Sequence, residues 1–156
     1  MIYLLIGQPG SGKTTLGTNL YTLLQYEKRN WRRTVFHIDG DQMRELYNNK
    51  DYTEHGRHLN ITNAQTLSEY LHSNECDVVI SIVSPYRQLR EDFKKKMGDN
   101  IVEIYLHTSD IRGREQFHVI NYEVPENNFI DIDTSDCEID ESFSKLVNKL
   151  TEMGKL

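Results

Sequence analysis

The sequence contains few of the residues that build covalent or rigid frameworks. Its 156 residues include only two cysteines, three prolines and one tryptophan. Cys76 and Cys137 lie far apart and neither belongs to a CxxC pair, so we interpret them as free thiols in a reducing cytoplasm. Trp31 follows the first predicted helix and is interpreted as a packing residue. No apolar run approaches the roughly 18 residues that span a membrane, and the apolar start at residues 1–6 lacks the basic stretch of a signal peptide. These absences predict a cytoplasmic protein with no membrane partner.

Basic residues are also in the minority. The chain has 18 Lys and Arg against 24 Asp and Glu, a formal net charge of −6. This balance argues against duplex nucleic acid as a partner, because such binding needs a basic face. The middle of the chain is the exception, since it carries Arg44, Arg57 and Arg87. A basic middle in an acidic protein can bind a small anion, and the alternative is a set of solvated surface charges.

Apolar patterning predicts alternating strands and helices. Five short apolar runs are typical of strands and span residues 2–6, 34–38, 78–83, 101–106 and 129–132. Four other segments have apolar residues at helical spacing, and they carry Leu16 and Leu20, Ile61 and Ala64, Leu89 and Phe93, and Leu146 and Leu150. Asp140 or Ser142 is available as the N-cap of the last helix. The alternation predicts an α/β fold of three layers, with a parallel sheet of about five strands flanked by helices.

Residues 108–128 follow neither the strand period nor the helix period. A structureless stretch of this length in a compact domain is usually functional or disordered. We therefore predict that residues 1–156 form a single domain in which residues 108–128 are a mobile, lid-like segment.

The most specific motif lies at residues 7–14, which match the phosphate-binding pattern G-x-x-x-x-G-K-[ST] in full. It stands between a predicted strand and a predicted helix, as the pattern requires. In such a loop the backbone N–H groups face a phosphate, the Lys13 amine reaches the β- and γ-phosphates, and the Thr14 hydroxyl can ligate Mg²⁺. The predicted ATP-binding residues of this loop are Gly7, Pro9, Gly10, Ser11, Gly12, Lys13, Thr14 and Thr15.

A second acidic site follows the second predicted strand. Asp39 and Asp41 are two residues apart, and the carboxyl ends of parallel strands line the ligand crevice of such sheets. One carboxylate can hold Mg²⁺ and the other can accept a proton from an attacking hydroxyl. The alternative is ordinary turn chemistry, because Asp39-Gly40 is a common turn dipeptide. The third predicted strand has no acid at its tip, which makes Asp39 the expected metal-side carboxylate.

The remaining motifs narrow the class of P-loop protein. The guanine-reading N-K-x-D of GTPases is missing, and the chain is shorter than motor or transport ATPases need. A short chain with an early P-loop and a mobile late segment is typical of a small-molecule kinase.

Several segments, taken in order, resemble the adenylylsulfate (APS) kinases, P-loop kinases that transfer the γ-phosphate of ATP to the 3′-hydroxyl of APS. Residues 39–44 are similar to the family's D-G-D-N-x-R, and residues 52–61 follow its F-[ST]-x-x-x-R-x-x-N-I. Residues 82–87 match F-I-S-P-[YF]-R closely. Residues 117–127 resemble N-F-T-G-I-D-S-P-Y-E-x-P-E-x-P with two residues lost. The resemblance implies formation of PAPS with ATP and Mg²⁺.

The resemblance also implies roles at the acceptor side of the site. Arg44, Arg57 and Asn60 would hold the phosphosulfate, because arginine forks suit such anions. Tyr52 and Phe117 would clamp the substrate adenine by stacking.

Further roles follow from the same resemblance. Lys13, Asp39 and Asp41 would be catalytic, with Asp41 as the general base that also meets the substrate. Asp39 would order Mg²⁺ together with Thr14. The pocket for the substrate would be lined at Ile82, Ser84 and Arg87. Arg112 would cover the base or the phosphates of ATP.

One segment departs from the family pattern. The family's lid carries a lysine-rich stretch, whereas here Arg112 runs almost straight to Phe117. The lid lysine that would meet the transferring phosphate has no counterpart, and Arg114 is the candidate replacement. Three interpretations therefore stay open. The first is an APS kinase, with a second copy of the chain as a candidate partner in a homodimer. The second is a P-loop kinase for another nucleoside, polynucleotide end or small metabolite. The third is a nucleotide-binding module without catalysis.

Overall fold

The computed structural model describes residues 1–27 and 34–156, so Trp31 lies outside the described residues. The strands are β1 (Ile2–Ile6), β2 (Val35–Asp39), β3 (Asp77–Ser81), β4 (Ile101–His107) and β5 (Phe129–Asp133). The helices are α1 (Lys13–Glu27), α2 (Gly40–Leu46), α3 (Glu54–Ser73), α4 (Arg87–Met97) and α5 (Ile139–Glu152). Within the described ranges, no helix is both long and apolar enough to cross a membrane.

The strands form one parallel sheet in the order β2-β3-β1-β4-β5. Side chains of the central strand β1 alternate between two apolar layers. Tyr3 and Leu5 join the layer that contains residues of α1 and α5. Ile2 and Leu4 join the layer that contains residues of α2, α3 and α4. The sheet is therefore covered by helices on both faces, and the predicted three-layer α/β fold is confirmed.

Four strands differ from their predicted ranges by one or two residues, and two of these differences affect the site. β2 ends at Asp39, one residue later than predicted, so this acid belongs to the strand tip. β3 ends at Ser81, although the apolar run continues to residue 83. Ser81 is the last residue of β3 with strand partners on both sides, since it pairs with Leu5 and with Asp39. The chain beyond Ser81 is therefore free to turn into the site.

Two helix starts were not predicted correctly. Helix α2 begins directly after Asp39, whose carboxylate caps it by accepting hydrogen bonds from the backbone N–H groups of Asp41 and Gln42. The Asp39-Gly40 dipeptide therefore starts a helix and is not a simple turn. Asp140 and Ser142 are not the N-cap of α5. That helix starts at Ile139, and its N-cap is Glu138. The N–H of Glu138 donates to the Glu141 carboxylate at 3.2 Å. Glu138 and Glu141 thereby form a capping box, which explains why the helix starts there.

The 108–128 segment has no strand, and residues Glu115–Phe117 form a 3-10 turn within it. Its chain leaves the carboxyl end of β4 and returns to β5, the edge strand on that side of the sheet. The segment is thereby brought beside the loop that joins β1 to α1.

Candidate active site

The phosphate-binding loop joins the end of β1 to the start of α1. Gly7 has a φ of +145°, and a Cβ there would lie only 2.1 Å from the carbonyl oxygen of Leu106 on β4. A side chain at this position would push the loop away from the sheet. The glycine therefore lets the loop begin in close contact with the carboxyl end of the sheet.

Lys13 lies at the first turn of α1 and is only 8% exposed. Its Nζ donates to the carbonyl oxygen of Gln8 at 2.8 Å. Burial lowers the pKa of Lys13 to about 8, although Asp39 and Asp41 act in the opposite direction. The amine thus lies in a dry site where a phosphate group would strengthen its charged form.

Thr14 and Asp39 bring two hard oxygen ligands together. The Thr14 hydroxyl donates to Oδ2 of Asp39 at 2.8 Å, while Oδ1 of Asp39 accepts from the Asp41 N–H at 2.9 Å. Hydroxyl and carboxylate oxygens beside a phosphate site are the donors that Mg²⁺ takes in nucleotide-binding proteins. This donor set fits the predicted metal, which would neutralise charge on the phosphates.

A cleft of about 980 Å³ opens over the P-loop and the ends of β2 and β3. Most predicted site residues line it, namely Pro9, Gly10, Gly12, Lys13, Thr14, Thr15, Asp39, Asp41, Arg44, Tyr52, Arg57, Asn60, Ile82, Ser84, Arg112 and Phe117. Three predicted site residues lie outside this lining, namely Gly7, Ser11 and Arg87. A volume of this size is at the upper end of small-molecule sites, so the cleft has room for two ligands side by side.

An aromatic and two arginines form one wall of the cleft. The guanidinium carbon of Arg44 lies 4.2 Å from the ring centre of Tyr52, and Arg44 also donates to the carbonyl oxygen of Asp51 at 2.7 Å. Nε of Arg57 donates to the carbonyl oxygen of Tyr52 at 2.9 Å. These contacts hold two cationic groups next to an aromatic face, an arrangement suited to a planar ligand with an anionic tail.

Asn60 lies at the back of this wall and is 4% exposed. Its Nδ2 donates to the carbonyl oxygen of Gly40 at 3.0 Å. Among the described residues, no group donates to its Oδ1. A buried oxygen of this kind costs free energy until a donor meets it. Asn60 belongs to the cleft lining, and Oδ1 is the atom of this residue that lacks a donor.

A buried arginine, Arg90, holds the loop between β3 and α4. Ser84 has a φ of +41°, and its carbonyl oxygen accepts a hydrogen bond from the fully buried Arg90 at 2.7 Å. Arg87 points away from the cleft, since its guanidinium pairs with Glu126 and its Nε donates to the carbonyl oxygen of Val124 at 3.1 Å. Arg87 thus attaches the C-terminal part of the 108–128 segment to α4.

The 108–128 segment contacts the P-loop directly. Arg112 donates to the carbonyl oxygens of Gly10 at 3.1 Å and Thr134 at 2.6 Å. Arg114 lies beside the same glycine, where a Cβ on Gly10 would be 3.3 Å from the Cβ of Arg114. The charge of Arg114 also acts to lower the pKa of Lys13. Two lid arginines therefore stand close to the phosphate-binding loop.

Sequence reasoning missed one part of the lining, the junction between β5 and α5. Its cleft-lining residues are Thr134, Cys137, Glu138, Ile139 and Ser142. The signal was present, because this junction follows the carboxyl end of a predicted parallel strand, where ligand crevices lie. The acidic composition of residues 121–142 obscured it.

Comparisons with known proteins agree with this geometry. The model of the adenylylsulphate kinase family matches residues 1–117. An adenylyl-sulfate kinase of Picosynechococcus sp. is 30% identical over 167 residues, which cover 95% of this chain and 92% of that protein. A cytidine diphosphoramidate kinase of Campylobacter jejuni is 29% identical over 102 residues, or 65% of this chain and 57% of that protein.

The fold comparison points in the same direction. The solved structure of a hexameric APS kinase from Thiobacillus denitrificans matches with a TM-score of 0.78 and 27% identity, over 99% of this chain and 29% of that one. The P-loop, the acid pair Asp39 and Asp41 and the cationic aromatic wall stand in one cleft on this fold. The chain belongs to the adenylylsulphate kinase family of P-loop kinases.

Proposed function

We propose that the protein transfers the γ-phosphate of ATP to the 3′-hydroxyl of APS, giving PAPS and ADP. One observation carries this proposal: the phosphate-binding loop and the wall of Arg44, Tyr52 and Arg57 line the same cleft of about 980 Å³. A phosphate donor and a nucleotide acceptor therefore have separate, adjoining surfaces.

The P-loop surface binds the donor. Backbone N–H groups of the loop and the N-terminus of α1 meet the phosphates of ATP. Thr14 and Asp39 hold Mg²⁺, which neutralises phosphate charge. Arg112, already bonded to Gly10 at 3.1 Å, covers the nucleotide from the lid-like segment.

The opposite wall binds the acceptor. Arg44 and Arg57 take the phosphosulfate, because each guanidinium offers several N–H donors in a fixed plane. Tyr52 and Phe117 stack on the adenine, and both are exposed aromatic side chains that line the cleft. An exposed ring that already bears a cation on one side leaves its other face for a base.

The transfer needs a base and charge neutralisation. As the oxygen of the acceptor hydroxyl forms a bond to the γ-phosphorus, the Asp41 carboxylate accepts the hydroxyl proton. The bond between that phosphorus and the β–γ bridging oxygen breaks, and ADP leaves. Lys13 and Arg114 balance the charge on the transferring group, with Arg114 in the role that a lid lysine would fill.

The test is an ADP-release assay with APS and a panel of nucleosides and sugars. Turnover is expected on APS, and turnover only on another compound would reject APS as the acceptor. Asp41→Asn is expected to lose at least about a hundredfold in kcat and to keep ATP binding. Glu45→Gln, which removes an exposed carboxylate from the same helix, is the matched control and is expected to stay near wild type. ATP binding without turnover on any compound would favour a non-catalytic module.

A second acceptor is favoured by the free Oδ1 of Asn60. The carbonyl oxygen of Gly40 can only accept, so the Asn60 nitrogen meets it and the Asn60 oxygen is the atom left without a donor. The Asn60 oxygen needs a hydrogen-bond donor. The terminal oxygens of a phosphosulfate cannot donate, whereas the amino group of a nucleoside diphosphoramidate can. The assay therefore includes cytidine diphosphoramidate. A higher kcat/KM for it than for APS would assign the second substrate.

A further inference from the structure

A hydrogen-bond relay lies behind the P-loop. The Ser81 hydroxyl is 3.1 Å from the carbonyl oxygen of Lys13 and 2.9 Å from Nε2 of His37. Because a carbonyl oxygen only accepts, the single hydroxyl proton of Ser81 is donated to Lys13. Ser81 then accepts from His37, whose Nε2 carries a proton. The relay therefore runs in one direction, from His37 through Ser81 to the first turn of α1.

Gly17 leaves the space that the relay occupies. A Cβ on Gly17 would lie 2.1 Å from Oγ of Ser81 and 2.9 Å from Nε2 of His37. Gly17 is four residues after Lys13, so it stands on the same face of α1. A residue with any side chain would separate α1 from the tips of β2 and β3. The glycine thus permits direct contact between the helix and the relay.

The strand order explains how this contact connects the P-loop to Asp39. The P-loop follows β1, whereas Asp39 ends β2, and β3 lies between these two strands. Ser81, at the tip of β3, spans the gap between them. His37 and Asp39 are two residues apart on β2 and therefore point to the same side of the sheet. One holds the Lys13 carbonyl through Ser81, and the other holds the Thr14 hydroxyl at 2.8 Å.

We propose that His37 and Ser81 are positioning residues that fix the first turn of α1 against β2, so that Thr14 and Asp39 together hold the metal ion of bound ATP. The proposal rests on the ATP- and metal-dependent function proposed above. The hydrogen-bonded pair of His37 and Ser81 therefore acts at the tip of β3, where this chain has no acidic residue.

The test compares ATP binding with and without a metal ion. ATP affinity is measured in EDTA and again with Mn²⁺, whose binding is also followed by electron paramagnetic resonance. Ser81→Ala and His37→Leu are expected to reduce the affinity gain due to Mn²⁺ by about fivefold, the usual effect of one hydrogen bond. The affinity for metal-free ATP is expected to stay within about twofold. His37→Gln, which keeps an N–H donor, is expected to restore most of the gain.

Thr18→Ala is the matched control. It removes a hydroxyl that donates to the Thr14 carbonyl oxygen at 2.8 Å from the exposed side of the same helix, and the gain due to Mn²⁺ is expected to persist. A wild-type gain in both Ser81→Ala and His37→Leu overturns the inference, and so does an equal loss with and without metal. If Ser81→Ala does not fold, the pair His37→Leu and His37→Gln decides. A wild-type protein that turns over no acceptor and gains nothing from Mn²⁺ overturns the proposed function as well.

Discussion

The side-chain amide of Gln8 hydrogen-bonds both main-chain groups of Val119. Its Nε2 donates to the Val119 carbonyl oxygen at 2.8 Å, and the Val119 N–H donates to its Oε1 at 2.9 Å. Nearby, Nε2 of His118 lies 3.0 Å from the carbonyl oxygen of Pro9. Gln8 and Pro9 belong to the P-loop, whereas the other two residues belong to the 108–128 segment. Hydrogen bonds therefore attach the lid-like segment directly to the phosphate-binding loop.

The two hydrogen bonds between Gln8 and Val119 predict how strongly the 108–128 segment is held. In Gln8→Ala both bonds to Val119 are lost, whereas Gln8→Glu keeps an acceptor for the N–H and loses the donor. We expect hydrogen exchange of the Val119 amide to speed up by about tenfold in the alanine variant and by less in the glutamate variant. Site-resolved exchange measured by NMR checks this. Unchanged exchange in Gln8→Ala would show that other contacts hold the segment.

The buried Lys13 predicts a pH dependence of ATP binding. Its pKa of about 8 means that the amine is charged below that pH and neutral above it. Above that pH, binding of a phosphate requires proton uptake, so affinity for metal-free ATP should fall as pH rises. We expect a loss approaching about tenfold per pH unit above the pKa of Lys13. Calorimetric titration measures it. Lys13→Met should bind ATP weakly with little pH dependence, and a flat wild-type profile contradicts the prediction.

Arg90 and Glu103 form an ion pair in which both side chains are fully buried, with Nε 2.7 Å from Oε1. Arg90→Met would leave Glu103 with Lys94 as its remaining cationic partner among residues 1–27 and 34–156. Breaking such a pair on one side costs about 3–5 kcal/mol of unfolding free energy. Urea unfolding measures the loss.

An exposed ion pair provides the comparison for Arg90→Met. Lys96→Met breaks the surface contact with Glu69, and the expected cost is below about 1 kcal/mol. The difference follows from burial, because water replaces the lost partner only at the surface. Equal costs for the two variants would mean that Glu103 finds compensation inside the protein.

Tyr52 predicts the energetics of the acceptor wall. Tyr52→Ala removes the ring that lies 4.2 Å from Arg44 and the face that would stack on the acceptor base. We expect the KM for the acceptor to rise by roughly tenfold, with a smaller change in kcat. Tyr52→Phe keeps the ring and should stay within about twofold of wild type. Steady-state kinetics with varied acceptor decides this. An equal rise in both variants would assign the effect to the hydroxyl.

Local sequence patterns predicted most of the fold. β1 spans the predicted residues, and the other strands differ from their predicted ranges by no more than two residues at either end. Strands buried on both faces leave continuous apolar runs, which is why the pattern is readable. The P-loop was equally readable, because its chemistry needs fixed residue types at fixed spacing. Helix α2 escaped notice because seven residues are too few to show a helical period.

Contacts between distant residues were not readable from the sequence. His37 and Ser81 are 44 residues apart, and Ser81 and Lys13 are 68 apart. Neither pair leaves a local pattern. Arg87 lies in a segment that resembles substrate-binding chain, yet its guanidinium meets Glu126. The direction of a long side chain depends on partners that only the folded chain brings near.

The contacts that hold the lid-like segment have a consequence for its evolution. Gln8 bonds the main chain of Val119, and Arg112 bonds the main-chain carbonyls of Gly10 and Thr134. A main-chain partner keeps its carbonyl and, except in proline, its N–H whatever side chain it carries. Position 119 can therefore accept many substitutions while the segment stays in place. Gln116 and Phe117 of the same segment line the cleft, so their side chains can change acceptor specificity while these main-chain bonds keep the segment attached.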